Sequence, residues 1–210
     1  MNKERRNGVL LPALLMTISL MVVCGLIYPL LVTGLGQLLM HDEANGSLIM
    51  VDGKPVGSEI VGQALNAPYF MQGRPSAVGY NTFDKEEPMD LPASGSHNYA
   101  SSNPALKERM EEDIAEILES NPGLDVSDLP VYLVTESGSG LDPHISVESA
   151  MIQLPRIARE SGLSMETLEE IVDRCSEGKL LGIFGEDKVN VLKVNLEIAE
   201  HMGMIDSYES

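Results

Sequence analysis

The sequence predicts an α+β fold: a single N-terminal transmembrane helix followed by one small soluble α+β domain. Three observations carry this. No charged side chain occurs between Arg6 and His41. Beyond that run, short β-branched pieces alternate with longer segments of helical period. With 210 residues and no internal repeat, the chain has length for one domain plus an anchor.

The first element is the anchor, expected over residues 9–38 behind a cytoplasmic tail of residues 1–8. The apolar run "GVLLPALLMTISLMVVCGLIYPLLVTGLGQLLM" exceeds the roughly 20 residues that cross a bilayer core. It also exceeds the roughly 7–15 apolar residues of a cleaved signal peptide. A buried core helix of this length would need a larger protein around it, and Val23 is too large for the residue preceding a lipoprotein site at Cys24. Pro12 sits near the helix start, where a missing N–H matters little. Pro29 predicts a kink or the helix end. Gly25, Gly34 and Gly36, with Pro29, form the face expected to admit another helix. Lys3, Arg5 and Arg6 precede the span and "HDE" follows it, so the positive-inside rule places the N-terminus in the cytoplasm and residues 39–210 outside it, as an extracytoplasmic domain.

That domain is strongly acidic. The chain carries 14 Lys+Arg against 32 Asp+Glu, and setting aside Lys3, Arg5, Arg6 and Glu4 leaves 11 against 31. Such a surface repels polyanions, which excludes nucleic acid as a partner and leaves the lipid bilayer as a partner of the anchor alone. Cys24 and Cys175 form no CxxC pair, and with one in the span and one in the head no internal disulfide is expected.

Within the head, "SLIMV" reads as a strand, and "DGKPVG" as a turn, or as a hairpin connection if "SEIVG" pairs back. Residues 71–103 form a long loop rich in Gly, Pro, Ser and Asn, a length that in a compact domain marks either a functional segment or a mobile excursion. A helix then opens at Ser102 or Asn103 with Pro104 in its first turn, and Leu106, Met110, Ile114, Ile117 and Leu118 share one face. "PVYLVTE" reads as a strand. "SVESAMIQLPRIARESG" reads as one helix capped by Ser146, ended by Gly162, bent at Pro155 and striped by Met151, Leu154, Ile157 and Ala158. "SMETLEEIVDRCSEG" repeats the design from Ser164 to Gly178. In "KVNVLKVNLEIAEHMG" alternation and helical period compete, and length favours helix.

Chemistry concentrates in "SGSGLDPHIS", residues 137–146. Ser137, Gly138, Ser139 and Gly140 could turn a strand into a helix whose N-terminus cradles phosphate. Against this, the P-loop lysine is missing and Asp142 adds negative charge. The alternative is a plain turn. A membrane-anchored extracellular hydrolase using serine, Asp142 or His144 is the rival enzyme reading, but no G-x-S-x-G elbow is present. His41, His97, His144 and His201 are scattered without metal-ligand spacing, so no metal is expected.

In order and spacing, "GLIYPLLVTGLGQ", "ANGSLI", "GSEIVGQ", "YFMQGRPSA", "SNPAL", "LVTESGSGLDPHIS", "QLPRIARESGLS" and "VNVLKVNLEIA" resemble the C-subunit family of the bacterial potassium-transporting P-type ATPases. The likeness covers nearly the whole chain, and "GRPSA", "SGLDPHIS" and "VNVLKVNL" are its most specific parts. "DKEEPMDLPASGSHNYA" departs most. The resemblance implies a non-catalytic accessory subunit of a high-affinity, ATP-driven potassium importer. Its partners would be a channel-like, potassium-binding subunit and a P-type ATPase subunit. This chain has no D-K-T-G-T phosphorylation sequence, so hydrolysis falls to a partner. The resemblance further implies a catalytic chaperone that raises the ATPase subunit's nucleotide affinity, with Gln153 and the Ser137–Gly140 stretch as nucleotide-related residues. ATP would be the one ligand, and no covalent cofactor is implied. The acidity of the head argues the other way, because ATP is a cytoplasmic polyanion. The residues themselves therefore favour a structural, ion-side role, with any effect on ATP transmitted through the complex.

Overall fold

The computed structural model describes residues 3–82, 91–179 and 181–209, with side chains from residue 8 onward. Two compact units divide after Ser47.

The first unit is a helix in two parts, α1 (Lys3–Val22) and α2 (Tyr28–Leu39), joined by a π-helical turn over Val23–Ile27, and followed by the short α3 (His41–Ala44). Residues Gly8–Leu39 are long and apolar enough to cross a membrane. Pro29 neither ends nor sharply breaks the helix. It has no N–H to give the Gly25 carbonyl, and the wider π turn directly before it absorbs the missing bond. Gly25 and Gly34 have open space where a Cβ would be, whereas a Cβ on Gly36 would lie 3.7 Å from Ala44 Cβ.

The second unit begins with a hairpin, β1 (Leu48–Val51) and β2 (Lys54–Ser58), closed by Asp52–Gly53. Both turn residues have positive φ, 51° and 71°, the demand of a type I′ turn that Asp-Gly meets well. The expected return strand "SEIVG" is thus replaced by Lys54–Ser58, because two residues suffice to reverse the chain. Next come α4 (Pro104–Ser120), α5 (Val131–Val134), β3 (His144–Ser146), α6 (Val147–Met151), α7 (Leu154–Ser161), α8 (Met165–Arg174), β4 (Ser176–Glu177), β5 (Lys188–Asn190), α9 (Val191–His201) and β6 (Tyr208–Glu209). They build two small antiparallel sheets, β2-β1-β6 and β3-β5-β4.

Helix α9 serves two cores. Val191, Val194 and Ile198 pack with Met71, Ile145, Leu154, Ile157, Leu168, Ile171 and Val189. Leu192 and Leu196, one position round the helix, pack with Ile49 and Val51. A helix apolar on two sides lies buried between layers. Both readings of its sequence therefore hold in part: alternation at Lys188–Asn190 is β5, and helical period takes over at Val191.

Three further expectations are corrected. "PVYLVTE" is a helical turn, with Leu133 N–H on Pro130 O and Thr135 Oγ1 on Val131 O at 2.7 Å. The strand that pairs with β5 is instead His144–Ser146, inside the quoted glycine-rich stretch. The helix expected from Ser146 to Gly162 is two helices broken at Ile152–Gln153, since Pro155 has no N–H for the Met151 carbonyl; Met151 is consequently 38% exposed and leaves the stripe. Helix α8 stops at Arg174, and β4 occupies the stretch before Gly178. Of the long 71–103 loop, residues 83–90 lie outside the described residues. Its first residues are anything but peripheral, as Met71 is fully buried.

Candidate functional site

Two buried amides hold the chain at residues 71–72 as a neighbouring strand would. Met71 N–H donates to Asn195 Oδ1 at 2.6 Å and Asn195 Nδ2 donates back to Met71 O at 2.8 Å. Gln72 N–H donates to Gln153 Oε1 at 2.9 Å and Gln153 Nε2 donates back to Gln72 O at 3.1 Å. An amide side chain has the same donor and acceptor as a peptide, so it satisfies an extended segment that lacks a sheet partner. Asn195 comes from α9, and Gln153 from the break between α6 and α7, where Pro155 has bent the chain.

Gln153 has two further bonds. Its Nε2 donates to Ser149 O at 3.1 Å, and its Oε1 accepts from Arg156 Nη2 at 2.9 Å. The amide is 3% exposed and Arg156 2%. Arg156 is a buried cation held by neutral oxygens: Asn121 Oδ1 at 3.1 Å, Phe70 O at 3.0 Å, Pro68 O and Gln153 Oε1. Burial lowers its pKa, and nearby Arg159 adds to the effect. Gln153 thus supplies part of the solvation that a buried guanidinium needs.

A cavity of about 260 Å³ opens beside this network, lined by Gln63, Gln72, Arg74, Tyr80, Asp113 and Gln153 among others. Burial raises the Tyr80 hydroxyl to about 12, and neighbouring Asp142 pushes the same way. Burial also raises the Asp113 carboxyl, against the pull of Arg109. The cavity wall thus carries both signs, with Asp113 and Glu116 on it and the Arg74 guanidinium beside them.

Arg74 lines this cavity and a second one of about 240 Å³ that also includes Tyr132, Asp142, His144, Glu186 and Lys188. Its guanidinium binds Asp142 Oδ2 at 3.0 Å, Glu136 O at 3.0 Å and Thr135 O at 3.3 Å. Burial alone would raise the Asp142 carboxyl; hydrogen bonds from His144 and Arg74 outweigh it and lower the pKa. The same balance, with His97 as the main donor, lowers Glu136. His144 Nδ1 is 3.7 Å from Asp142, and its Nε2 is 3.3 Å from Lys188 Nζ and 3.9 Å from Glu177. The serines of the stretch are engaged elsewhere. Ser137 Oγ accepts from Gly140 N–H at 2.9 Å, Ser139 Oγ from Leu141 N–H at 3.1 Å, and Ser146 Oγ from Ser149 N–H at 3.1 Å. Among the described residues, then, no serine hydroxyl is bonded to His144, the contact that a serine–histidine hydrolase would use.

Ser137, Gly138, Ser139 and Gly140 are gathered with the 71–103 segment and not with Gln153. Ser139 O accepts from Gly95 N–H at 2.8 Å and from Ser94 Oγ at 3.1 Å, and Ser76 Oγ donates to Gly140 O at 2.6 Å. Gly140 has φ +65°, and a Cβ there would lie 2.7 Å from Gly95 O, so glycine is needed for both conformation and space. The helix that follows opens at Val147, after β3 and seven residues beyond Gly140, so no helix N-terminus stands behind this turn. Sequence reasoning missed Arg74, Asn195 and Arg156. The advance signals were the charged Arg156 on an apolar helix face, Asn195 inside a helix, and Arg74 within the quoted "GRPSA".

Residues 10–200 match the family model described as KdpC, K+-transporting ATPase, c chain. The chain is 49% identical over 203 residues to a potassium-transporting ATPase KdpC subunit of Clostridioides difficile strain 630, covering 92% of this chain and 98% of that one. A KdpC subunit of Clostridium kluyveri is 48% identical, with 91% and 93% covered. One from Bacillus cereus strain G9842 is 44% identical, with 93% and 97% covered.

Proposed function

The chain belongs to the KdpC family, the C chain of the K+-transporting ATPase, and from that premise we propose that it is the structural accessory subunit of a potassium importer, acting without direct contact to ATP. The Gly8–Leu39 helix tethers it in the membrane, and the acidic head stands on the extracytoplasmic side, as Lys3, Arg5 and Arg6 before the span argue. A channel-like subunit and a P-type ATPase subunit are its partners. The head packs on the channel-like subunit, and ATP affinity of the ATPase subunit responds through the assembled complex.

The observation that carries the indirect reading is the Gln153 amide. Both its N–H groups and its carbonyl oxygen are taken inside the chain, by Gln72, Ser149 and Arg156. A nucleotide would have to break these bonds in a buried place. Gln153 acts by holding the 68–74 segment and Arg156 in place.

The test compares the whole complex with wild-type chain, with Gln153→Ala and without this chain. The expected result is that loss of apparent ATP affinity in the variant tracks loss of the chain from the complex. Direct contact would replace this reading if the variant stayed fully assembled, ATP affinity still fell, and the purified full-length chain bound ATP only with Gln153 present.

A further inference from the structure

In the connection between β4 and β5 the described residues, 178–179 and 181–187, contribute no side chain to either core cluster. Its base is fastened: Lys188 Nζ meets Glu177 Oε2 at 2.9 Å, and Tyr132 OH donates to Glu186 Oε2 at 3.1 Å. Its tip is apolar and bare. Leu181 is 82% exposed, Ile183 76% and Phe184 63%. Leu181 sits at φ +55°, with Gly182 and Gly185 also at positive φ, a backbone that turns the tip back without burying its side chains. Val126 and Val131 stand singly, and isolated cases need no explanation, while Ile60 at 61% and Val61 at 40% form a smaller and less exposed pair. Three large side chains within four positions on a fastened projection form a contact surface.

We propose that Leu181, Ile183 and Phe184 dock into an apolar groove on another subunit of the potassium-transporting complex, with basic side chains on the groove's rim. Charge selects this occupant. Glu186 and Asp187 adjoin the tip on one side and Lys179 on the other, all exposed, so whatever receives Phe184 must also receive, beside one ammonium, two carboxylates. An anionic lipid surface would repel them, and so would a second copy of this acidic chain. A basic-rimmed protein groove meets both demands, with the aromatic side chain as its anchor. The inference rests on family membership and not on the side of the membrane the head occupies.

The experiment places a photoreactive residue in the full complex as Phe184→p-benzoylphenylalanine, with Val126→p-benzoylphenylalanine as the control. The expected result is an ultraviolet-dependent adduct with a different subunit, at least fivefold above control and cut at least threefold by Glu186→Gln with Asp187→Asn, which remove the charge and keep an acceptor for Tyr132 OH. Adducts to lipid only, adducts to a second copy of this chain, a yield no higher than control, or an adduct indifferent to the loss of both charges would overturn the proposal. A complex that fails to assemble even with wild-type chain would overturn the accessory-subunit reading as well, so the two failures are distinguishable.

Discussion

Gln153 and Asn195 each clasp one peptide of the Met71–Gln72 segment, and Gln153 alone also solvates the buried Arg156. Removing the Gln153 amide leaves Gln72 N–H, Gln72 O and an Arg156 N–H without partners, each a buried group that costs about 1–3 kcal/mol when orphaned. Gln153→Ala is therefore expected to destabilise the head by about 3 kcal/mol even with no nucleotide present, a fall of roughly 6–12 °C in melting temperature for a domain of this size. A thermal melt of the purified chain reads this directly; an unchanged melting temperature would restore Gln153 as a free ligand-binding group. Asp142 offers a test by pH. Its folded pKa lies below the ordinary 3.8 because hydrogen bonds from His144 and Arg74 outweigh burial. A depressed carboxyl contributes stability that is complete above the unfolded value and disappears as pH falls through the folded one. Wild type should thus lose stability on acidification below about pH 4, whereas Asp142→Asn should start less stable at pH 7 and show a shallower acid limb. Parallel limbs in urea titrations across that range would contradict the assignment.

Helix ends give the elements their limits, and the asparagine caps differ in what else they do. Asn190 Oδ1 accepts from Lys193 N–H at 3.1 Å at the start of α9, while its Nδ2 donates to Glu59 O at 2.8 Å, all in a residue 1% exposed. Asn103 caps α4 from a half-buried position through Ala105 N–H alone. Asn190→Ala should cost about 2–3 kcal/mol and Asn103→Ala about 1; chemical denaturation of the two variants checks the order. These caps were legible in the sequence for α4, α6 and α8, as was the double character of the final segment, because capping and periodicity are local. The hairpin partner and "PVYLVTE" were not. Val131–Val134 has strand composition, but no open sheet edge receives it, and Pro130 with Thr135 closes a helical turn instead. The role of residues 68–72 was hidden for the same reason: their bonds come from Gln153, Arg156 and Asn195, more than 80 positions away, and a Gly- and Pro-rich composition looks like loose loop when those partners are unseen. The turn reading of 137–140 was available from glycine chemistry, but the segments 76 and 94–95 that fasten it were not.

At the scale of the whole molecule, an apolar helix and an acidic head share one chain. The side chains of Gly8–Leu39 are exposed along the helix, a surface that water would not tolerate and a bilayer or partner helices would cover. Beyond it the chain has 11 basic against 31 acidic residues, a field that concentrates cations and repels nucleotide. Which face of the membrane this field occupies decides between a subunit on the potassium-entry side and one that can touch ATP. Cys175 is a poor probe of that, since burial pushes its thiol up to about 12, but Ser101 is exposed. The most direct measurement is labelling of Ser101→Cys in a chain carrying Cys24→Ser, using a membrane-impermeant maleimide on intact spheroplasts and on permeabilised ones. The account predicts equal labelling of both. Labelling only after permeabilisation would place the head with ATP and contradict it.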